Sequence, residues 1–435
     1  MQKLSDRKIQ NSATISFDMV GCKLNKYELE VMRTQAQKLG LIPVNGVQSD
    51  VVVINTCSVT NEASKDSRRM IHRYRRENDS AYIVVTGCYS QTDLEEVKAQ
   101  GADLILSNFE KEKFFDFIRV DIENLDLKDN SFTTLLNTVE FQSRPFLKIQ
   151  DGCDAFCSYC IIPRARGRSR SISRTEVLEQ VNRLSRIYPE LVLSGVNLGQ
   201  YEDGEGYGFL HILQDMVKIP TLKKIRISSI EPVDVTDELL DFVLGEPKIC
   251  RHLHIPLQGA ENNLLTQMRR KYTIEEYTNK LQRIKRHDPS FCLGADVMVG
   301  FPSEDSSVFD AAMKNLEAMP LDYMHVFTFS SREKTVAERM ESLNTPQQRK
   351  ERNRLVTELS HQKKKKFLES QLGKVLPAVV ERSGESSFQK ALTDNYIPVI
   401  LEKSSDDLSL QSVSVRITEL GSDKVFGEIV RDCKD

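Results

Sequence analysis

The chain has no stretch approaching the run of about 20 apolar residues that a membrane helix needs, anywhere in its 435 positions. Its first residues, Met-Gln-Lys-Leu-Ser-Asp-Arg-Lys, also lack an apolar core of signal-peptide length. These two absences predict a cytoplasmic protein with no membrane partner. A dominant charge is lacking too: Lys and Arg number 60 against 63 Asp and Glu, for a net charge of −3. A global basic field therefore cannot argue for nucleic acid, and any such case must rest on local patches. Neither an internal repeat nor a low-complexity tract is visible.

What is present is ordinary folded composition, 40% apolar and 28% charged. The chain is too long for one hydrophobic core, so several domains are expected. Residues 13 to 110 alternate strand and helix patterns, with Asp50-Val-Val-Val-Ile-Asn-Thr56 and Ala81-Tyr-Ile-Val-Val-Thr86 reading as strands buried on both faces of a parallel sheet. Residues 111 to 140 grow polar and acidic, with Asp121, Glu123, Asp126 and Asp129. From Arg144 to about Phe367 further strands alternate with helices and describe a partial (β/α) barrel. From Leu372 the pattern changes to period two, the mark of short antiparallel strands. The expected fold class is α/β, in four segments. These are an open parallel sheet domain over 1–125, a linker over 126–143, the barrel over 144–367 and a small antiparallel β-barrel over 368–435.

The nine cysteines of a cytosolic chain read as metal or redox ligands rather than disulfides. Three stand together in Cys153-Asp-Ala-Phe-Cys157-Ser-Tyr159-Cys160, with no fourth nearby. A structural zinc site closes four ligands, whereas three suit a [4Fe-4S] cluster with one iron left open. Buried packing cysteines are the alternative. A second regularity is that each of the three N-terminal strands runs into a cysteine, Cys22, Cys57 or Cys88. Ligands of open α/β sheets bind outside the carboxyl ends of the strands, so these three should converge. Small residues in three separate turns are the alternative. Cys250, Cys292 and Cys433 lack partners at useful spacing and read as structural. His252 and His254, alternating along a strand, read as core histidines.

The C-x3-C-x2-C loop with Tyr159 resembles that of the radical S-adenosylmethionine (SAM) superfamily. The flanking Arg144-Pro-Phe-Leu-Lys-Ile-Gln-Asp-Gly-Cys153 and Cys160-Ile-Ile-Pro-Arg-Ala-Arg-Gly-Arg168 resemble its methylthiotransferase branch, as do Gly21-Cys22-Lys-Leu-Asn25 and Asn55-Thr56-Cys57. Met19, Gly259-Ala260, Ser303 and Glu333-Lys334 depart from the usual pattern. The resemblance implies two [4Fe-4S] clusters, one on Cys153, Cys157 and Cys160 that chelates SAM, and an auxiliary one on Cys22, Cys57 and Cys88. It places Tyr159 against the cofactor, Gly195 and Asn197 near its amino group and Gly300 near its adenine. It further implies radical cleavage of SAM, a second SAM that methylates sulfur, a sulfur source, and an electron donor such as flavodoxin or ferredoxin.

Within that branch the motifs look most like enzymes that modify threonylcarbamoyladenosine beside the anticodon, which makes the tRNA anticodon stem-loop the expected partner. Isopentenyladenosine tRNA or a ribosomal-protein aspartate is the alternative substrate, and a non-catalytic zinc and RNA-binding protein the alternative of another class. Arg164, Arg166, Arg168 and Arg170 follow the cluster loop with no interrupting acid and are candidate phosphate grips. Thr393-Asp-Asn395-Tyr396 and Phe426-Gly427-Glu428 resemble a TRAM domain, an OB-like RNA-binding barrel, making Asn395 and Tyr396 candidate RNA contacts. The basic helical segment Arg68 to Arg76 reads as a solvated face. Arg349 to Lys366 reads as a helical connector to the last domain. The oligomeric state is unknown from the sequence.

Overall fold

A computed structural model of the protein describes residues 13–111, 114, 143–204, 206–382, 388–402 and 408–430. Met1–Lys8, Asp121, Glu123, Asp126, Asp129, Cys433 and the expected linker up to residue 142 lie outside the described residues. The chain divides into two compact units, each best taken by itself.

The first unit comprises the described residues of Met1–Glu140, with Asp151–Ser169 and Ser330–Thr335. Its sheet is built from β1 (Thr14–Met19), β2 (Ile42–Val44), β3 (Val51–Thr56), β4 (Tyr82–Gly87) and β5 (Leu104–Ile105) in the order β2-β1-β3-β4-β5. Every pairing is parallel. Alternate side chains of β3 face opposite ways, and the uninterrupted apolar run is needed because both faces are covered. Val51 and Val53 pack with Leu29, Met32 and Ala36 of α1 (Lys23–Lys38). Val52 and Ile54 pack instead with Ile71 and Tyr74 of α2 (Asn61–Glu77). Thr60 caps α2 by accepting the amide of Ala63. The basic face of this helix is largely paired, Arg68 with Glu96 and Arg73 with Asp18. Strands β2 and β5 are too short to show a period in the sequence.

The second unit carries six parallel strands: β6 (Phe146–Lys148), β7 (Glu190–Ser194), β8 (Lys224–Ile227), β9 (His252–His254), β10 (Cys292–Val299) and β11 (Tyr323–Thr328). They form two three-stranded sheets in sequential order, joined by parallel bridges Ile225 to Ile249 and Ser229 to His254. This is the expected partial (β/α) barrel, with helices between successive strands. His252 and His254 are buried, and both contact the Tyr323 hydroxyl, at 2.8 and 3.2 Å. Cys250 and Cys292 are buried free thiols.

The connecting helix Pro346–Glu369 starts earlier than the basic run suggests. Thr345 and Gln348 form its capping box, with Pro346 in the first turn. A closed five-stranded barrel ends the unit: β12 (Val375–Val380), β13 (Phe388–Thr393), β14 (Pro398–Glu402), β15 (Ser412–Leu420) and β16 (Val425–Val430). Its pairings are antiparallel except that of β14 with β16. Leu376, Val380, Ala391, Val399, Leu401 and Val415 fill it. No helix among the described residues is long and apolar enough to cross a membrane.

Candidate functional site

Three turns at the carboxyl end of the first sheet hold Cys22, Cys57 and Cys88. Each turn is fixed by a polar or backbone constraint. Asn25, one turn into α1, donates to the carbonyls of Val20 (2.7 Å) and Thr56 (3.1 Å), tying the ends of β1 and β3 together. A Cβ on Gly21, whose φ is +115°, would fall 2.7 Å from the Cys57 Cβ, which measures how closely the first two cysteine turns meet. Gly87 (φ +111°) lies so close to the Thr56 backbone that a Cβ would sit 2.2 Å from its carbonyl oxygen, and Cys88 then opens α3 (Cys88–Thr92). The Cys57 thiol is pushed up to about 11, first by burial, with charge on Cys88 and Cys22 adding to the shift and the Arg166 guanidinium opposing it. Cys22 and Cys88 thus stand near enough for their charge to act on Cys57.

The first unit also contains the Cys153 loop. Gly152 (φ +71°) admits the Arg168 carbonyl where a Cβ would clash at 1.9 Å, and the Cys153 amide donates to the Gly167 carbonyl at 3.2 Å. The loop is therefore closed at its base and its cysteines are held on a short arc, all three partly exposed. Tyr159 is partly buried. Phe156 takes a left-handed backbone (φ +49°) and is exposed, with the Arg168 guanidinium over its ring at 4.6 Å. Such conformations persist where the surroundings enforce them. A short helix, α5 (Ile162–Arg166), follows Cys160 directly. Its Ala165 carbonyl accepts from Asn108 at 2.7 Å, and the same amide group lies 3.8 Å from the Cys88 sulfur.

Arg166 corrects the reading of the arginine run. It is buried, 1% exposed, and engages Glu28 at 2.8 Å, Asp151 at 3.2 Å and Asn25 at 2.8 Å. A guanidinium so enclosed and so paired has no donor to offer a phosphate. Lys111, 2% exposed, completes the group, 2.5 Å from Glu28 and 3.0 Å from the Asn55 side chain. Burial depresses the Lys111 ammonium, and Glu28 opposes that shift. Two cations and two carboxylates thus form a buried network between α1, which follows Cys22, and the segment that enters the Cys153 loop. Sequence reasoning missed Glu28, Lys111 and Asp151 as members; Glu28 and Asp151 stand near cysteine motifs, while Lys111 carried no local signal. Arg164, Arg168 and Arg170 are exposed, with Arg168 also paired to Asp154 at 3.1 Å.

A cavity of about 600 Å³ lies within this unit, walled by Ser58, Thr92, Ile161, Arg164, Lys65 and Arg332 among others. Ser58 follows Cys57, Ile161 follows Cys160, and Thr92 lies one turn beyond Cys88. Arg332 reaches the cavity from the segment Ser330–Thr335 and donates to the carbonyls of Ser58 and Thr60 and to the side chains of Asn61 and Ser64.

In the second unit, Gly195 and Asn197 follow β7. A Cβ on Gly195 would meet Leu198 at 2.9 Å, and Asn197 is buried with its amide donating to Gln150 at 2.8 Å. The side-chain amide oxygen of Asn197 is buried without a hydrogen-bond partner among the described residues. Gly300 (φ +74°) follows β10 and packs under Arg349. Asn395 needs correction as an RNA contact. Asn395 is 0% exposed and is consumed by Thr393, the Ser290 carbonyl and Gln371. Tyr396 stacks on His252 at 4.2 Å, and Arg226 of β8 donates to the Asp394 and Thr393 carbonyls. That turn seats the small barrel on β8 and β9, which is why its polar residues face inward.

Among the described residues no three Cys, His, Asp or Glu side chains gather closely enough for a single metal ion. A cubane attaches its thiolates to separate irons and asks for wider spacing, and three cysteines without a fourth ligand fit that donor set. Comparison with known families matches residues 147–316 to the Radical SAM superfamily, and residues 14–107 to the family described as Uncharacterized protein family UPF0004. The chain is therefore a radical SAM enzyme, whose cofactors are an iron–sulfur cluster and SAM.

The threonylcarbamoyladenosine tRNA methylthiotransferase MtaB of Bacillus subtilis (strain 168) is 35% identical over 97% of this chain and 98% of its own length. The MtaB of Aquifex aeolicus (strain VF5) is 33% identical over 88% and 96%. A tRNA-2-methylthio-N(6)-dimethylallyladenosine synthase of Acetivibrio thermocellus is 29% identical over 94% and 90%. The chain belongs to the radical SAM methylthiotransferase family, alongside the MtaB enzymes. Among solved structures, the radical SAM methyltransferase TsrM of Kitasatospora setae shares the fold, with a TM-score of 0.54 at 14% identity over 73% of this chain and 75% of that one.

Proposed function

We propose that this enzyme methylthiolates C2 of N6-threonylcarbamoyladenosine next to the anticodon of a tRNA, using two SAM molecules and a sulfur source. In this reading Cys153, Cys157 and Cys160 hold the [4Fe-4S] cluster that binds SAM, and Cys22, Cys57 and Cys88 hold a second one. The observation that carries it is that six cysteines from distant parts of the sequence belong to one compact unit, whose cavity is walled by the neighbours of both trios. The relatives named as threonylcarbamoyladenosine enzymes support the choice of base.

A reduced cluster with SAM supplies a radical able to abstract an unactivated hydrogen, and that organic chemistry belongs to the cofactor. The chain's own residues bind and orient. The closed base at Gly152 keeps the three thiols of the loop on one arc, and Asn25 fixes the Cys22 turn against the Cys57 turn. Tyr159, Gly195, Asn197 and Gly300 are the proposed SAM contacts, with the orphaned oxygen of Asn197 suited to accept from an ammonium. Arg168 and Arg170 remain as phosphate contacts. The electron donor is a flavodoxin or ferredoxin, and the setting is the cytoplasm.

The deciding experiment is mass spectrometry of tRNA nucleosides from a strain lacking the gene. Loss of the 2-methylthio group from threonylcarbamoyladenosine, with the unthiolated nucleoside accumulating, is expected. Retention of that group would refute the substrate assignment, and loss from isopentenyladenosine instead would transfer the chain to the other tRNA branch.

A further inference from the structure

The cavity beside the cysteine turns is net positive, with Lys65, Arg68, Arg164, Arg332 and Lys334 on its wall against Asp93, Glu96 and Glu333. Arg332 is only partly exposed, and the four groups that engage it are two carbonyls, an amide oxygen and a hydroxyl. None is a carboxylate, Asp93 acting on it only at longer range, and its Nε is buried without a hydrogen-bond partner among the described residues. A net positive wall is costly to enclose unless an anion arrives to balance it.

Two further cations stand on the same wall. Arg164 projects from α5 and engages no acceptor among the described residues, while Lys65 has only a long contact with Glu62 at 3.5 Å. Arg68, by contrast, is already taken by Glu96 and the Tyr89 hydroxyl. The Arg164 guanidinium, planar and exposed, is matched to a carboxylate, which such a fork grips bidentately, while Arg332, its terminal nitrogens already engaged, adds its charge.

We propose that this cavity reads the carboxylate that the threonylcarbamoyl group adds to adenosine, with Arg164 and Arg332 as the specificity-determining cations. The inference rests on the substrate reading above. It explains discrimination against an apolar N6 substituent, which would leave these cations desolvated and unpaired. Recognition by hydrogen bonding rejects a substituent lacking the partner group more strongly than an apolar pocket rejects an extra one. An RNA phosphodiester is the other source of an anion here, and the test separates the two.

The test measures equilibrium binding of anaerobically reconstituted enzyme to three otherwise identical anticodon stem-loop RNAs. One carries threonylcarbamoyladenosine, one its carboxylate methyl ester and one plain adenosine. The first should bind about tenfold or more tightly than the other two, the effect of one charge-assisted hydrogen bond. Arg164→Gln, at an exposed position, should erase most of that preference and leave binding of the plain RNA unchanged. Arg332→Lys, which keeps the charge and loses the fork, should retain part of the preference.

Equal binding of all three RNAs by the native enzyme would overturn the proposal. So would an Arg164→Gln enzyme weakened equally toward all three with a shallower salt dependence, the signature of a lost phosphate contact. Neither result bears on the nucleoside analysis, so failure of this inference and failure of the substrate assignment are told apart.

Discussion

Replacing Glu28 by Gln should be the most damaging single change in the buried network. The four members are Lys111, Arg166, Glu28 and Asp151, two positive and two negative, and the first three are at most 2% exposed. Breaking a buried ion pair by removing one partner costs about 3–5 kcal/mol. Glu28 bridges both cations, at 2.5 Å to Lys111 and 2.8 Å to Arg166, so Glu28→Gln takes from both the carboxylate they share and belongs at the upper end, about 5 kcal/mol. After Lys111→Met, Glu28 still holds Arg166 and accepts from Asn55 at 3.3 Å, which places that variant at the lower end, about 3 kcal/mol. The double variant restores neutrality and should cost no more than Glu28→Gln alone, a coupling that only contacting groups show. With no tryptophan in the chain and two units that need not melt together, hydrogen exchange of the β3 and β4 amides is the suitable assay. Single costs below about 1 kcal/mol, or strict additivity in the double variant, would refute the account of the network as one electrostatic unit.

Other expectations follow from single contacts. Gly87→Ala places a methyl on the Thr56 carbonyl in a backbone region nearly closed to side chains, and should cost about 3 kcal/mol or more, seen as lost exchange protection in the first sheet. Cys57→Ala should halve the iron and acid-labile sulfide of the anaerobically reconstituted protein, and unchanged iron would remove the second cluster from its place. Arg168→Gln should weaken tRNA binding and reduce the log-log salt slope by about 0.7 to 0.9, the share of one phosphate, measured by titration at several salt concentrations. Asn395→Ala should destabilise the small barrel by about 1–3 kcal/mol through buried groups left unpaired, while the folded protein keeps its tRNA affinity. A loss of affinity without a loss of stability would return Asn395 to the RNA surface.

The contrast between Arg166 and its neighbours shows where sequence reading stops. Arg164, Arg166, Arg168 and Arg170 are chemically alike and alternate along one short segment, so they read as one basic patch. Three are exposed, yet Arg166 is enclosed by Glu28 and Asp151. Nothing local distinguishes it, because its partners come from elsewhere in the chain. Asn395 failed in the same way. A polar turn in a small barrel is consistent with RNA contact or with a buried junction, and only the face turned toward β8 decides between them.

Where the outcome depended on period and spacing, the sequence was sufficient. The strands ending at Thr56 and Gly87 announced a parallel sheet because apolar runs must be covered on both faces, and parallel order sends every strand end, with its cysteine, to one edge. The C-x3-C-x2-C spacing likewise put three thiols on one loop irrespective of what surrounds it. Tertiary structure alone decided which charges are buried, which loop joins which unit and what walls the cavity. Those properties depend on pairs of groups far apart in the chain, and one-dimensional order carries no distance between them.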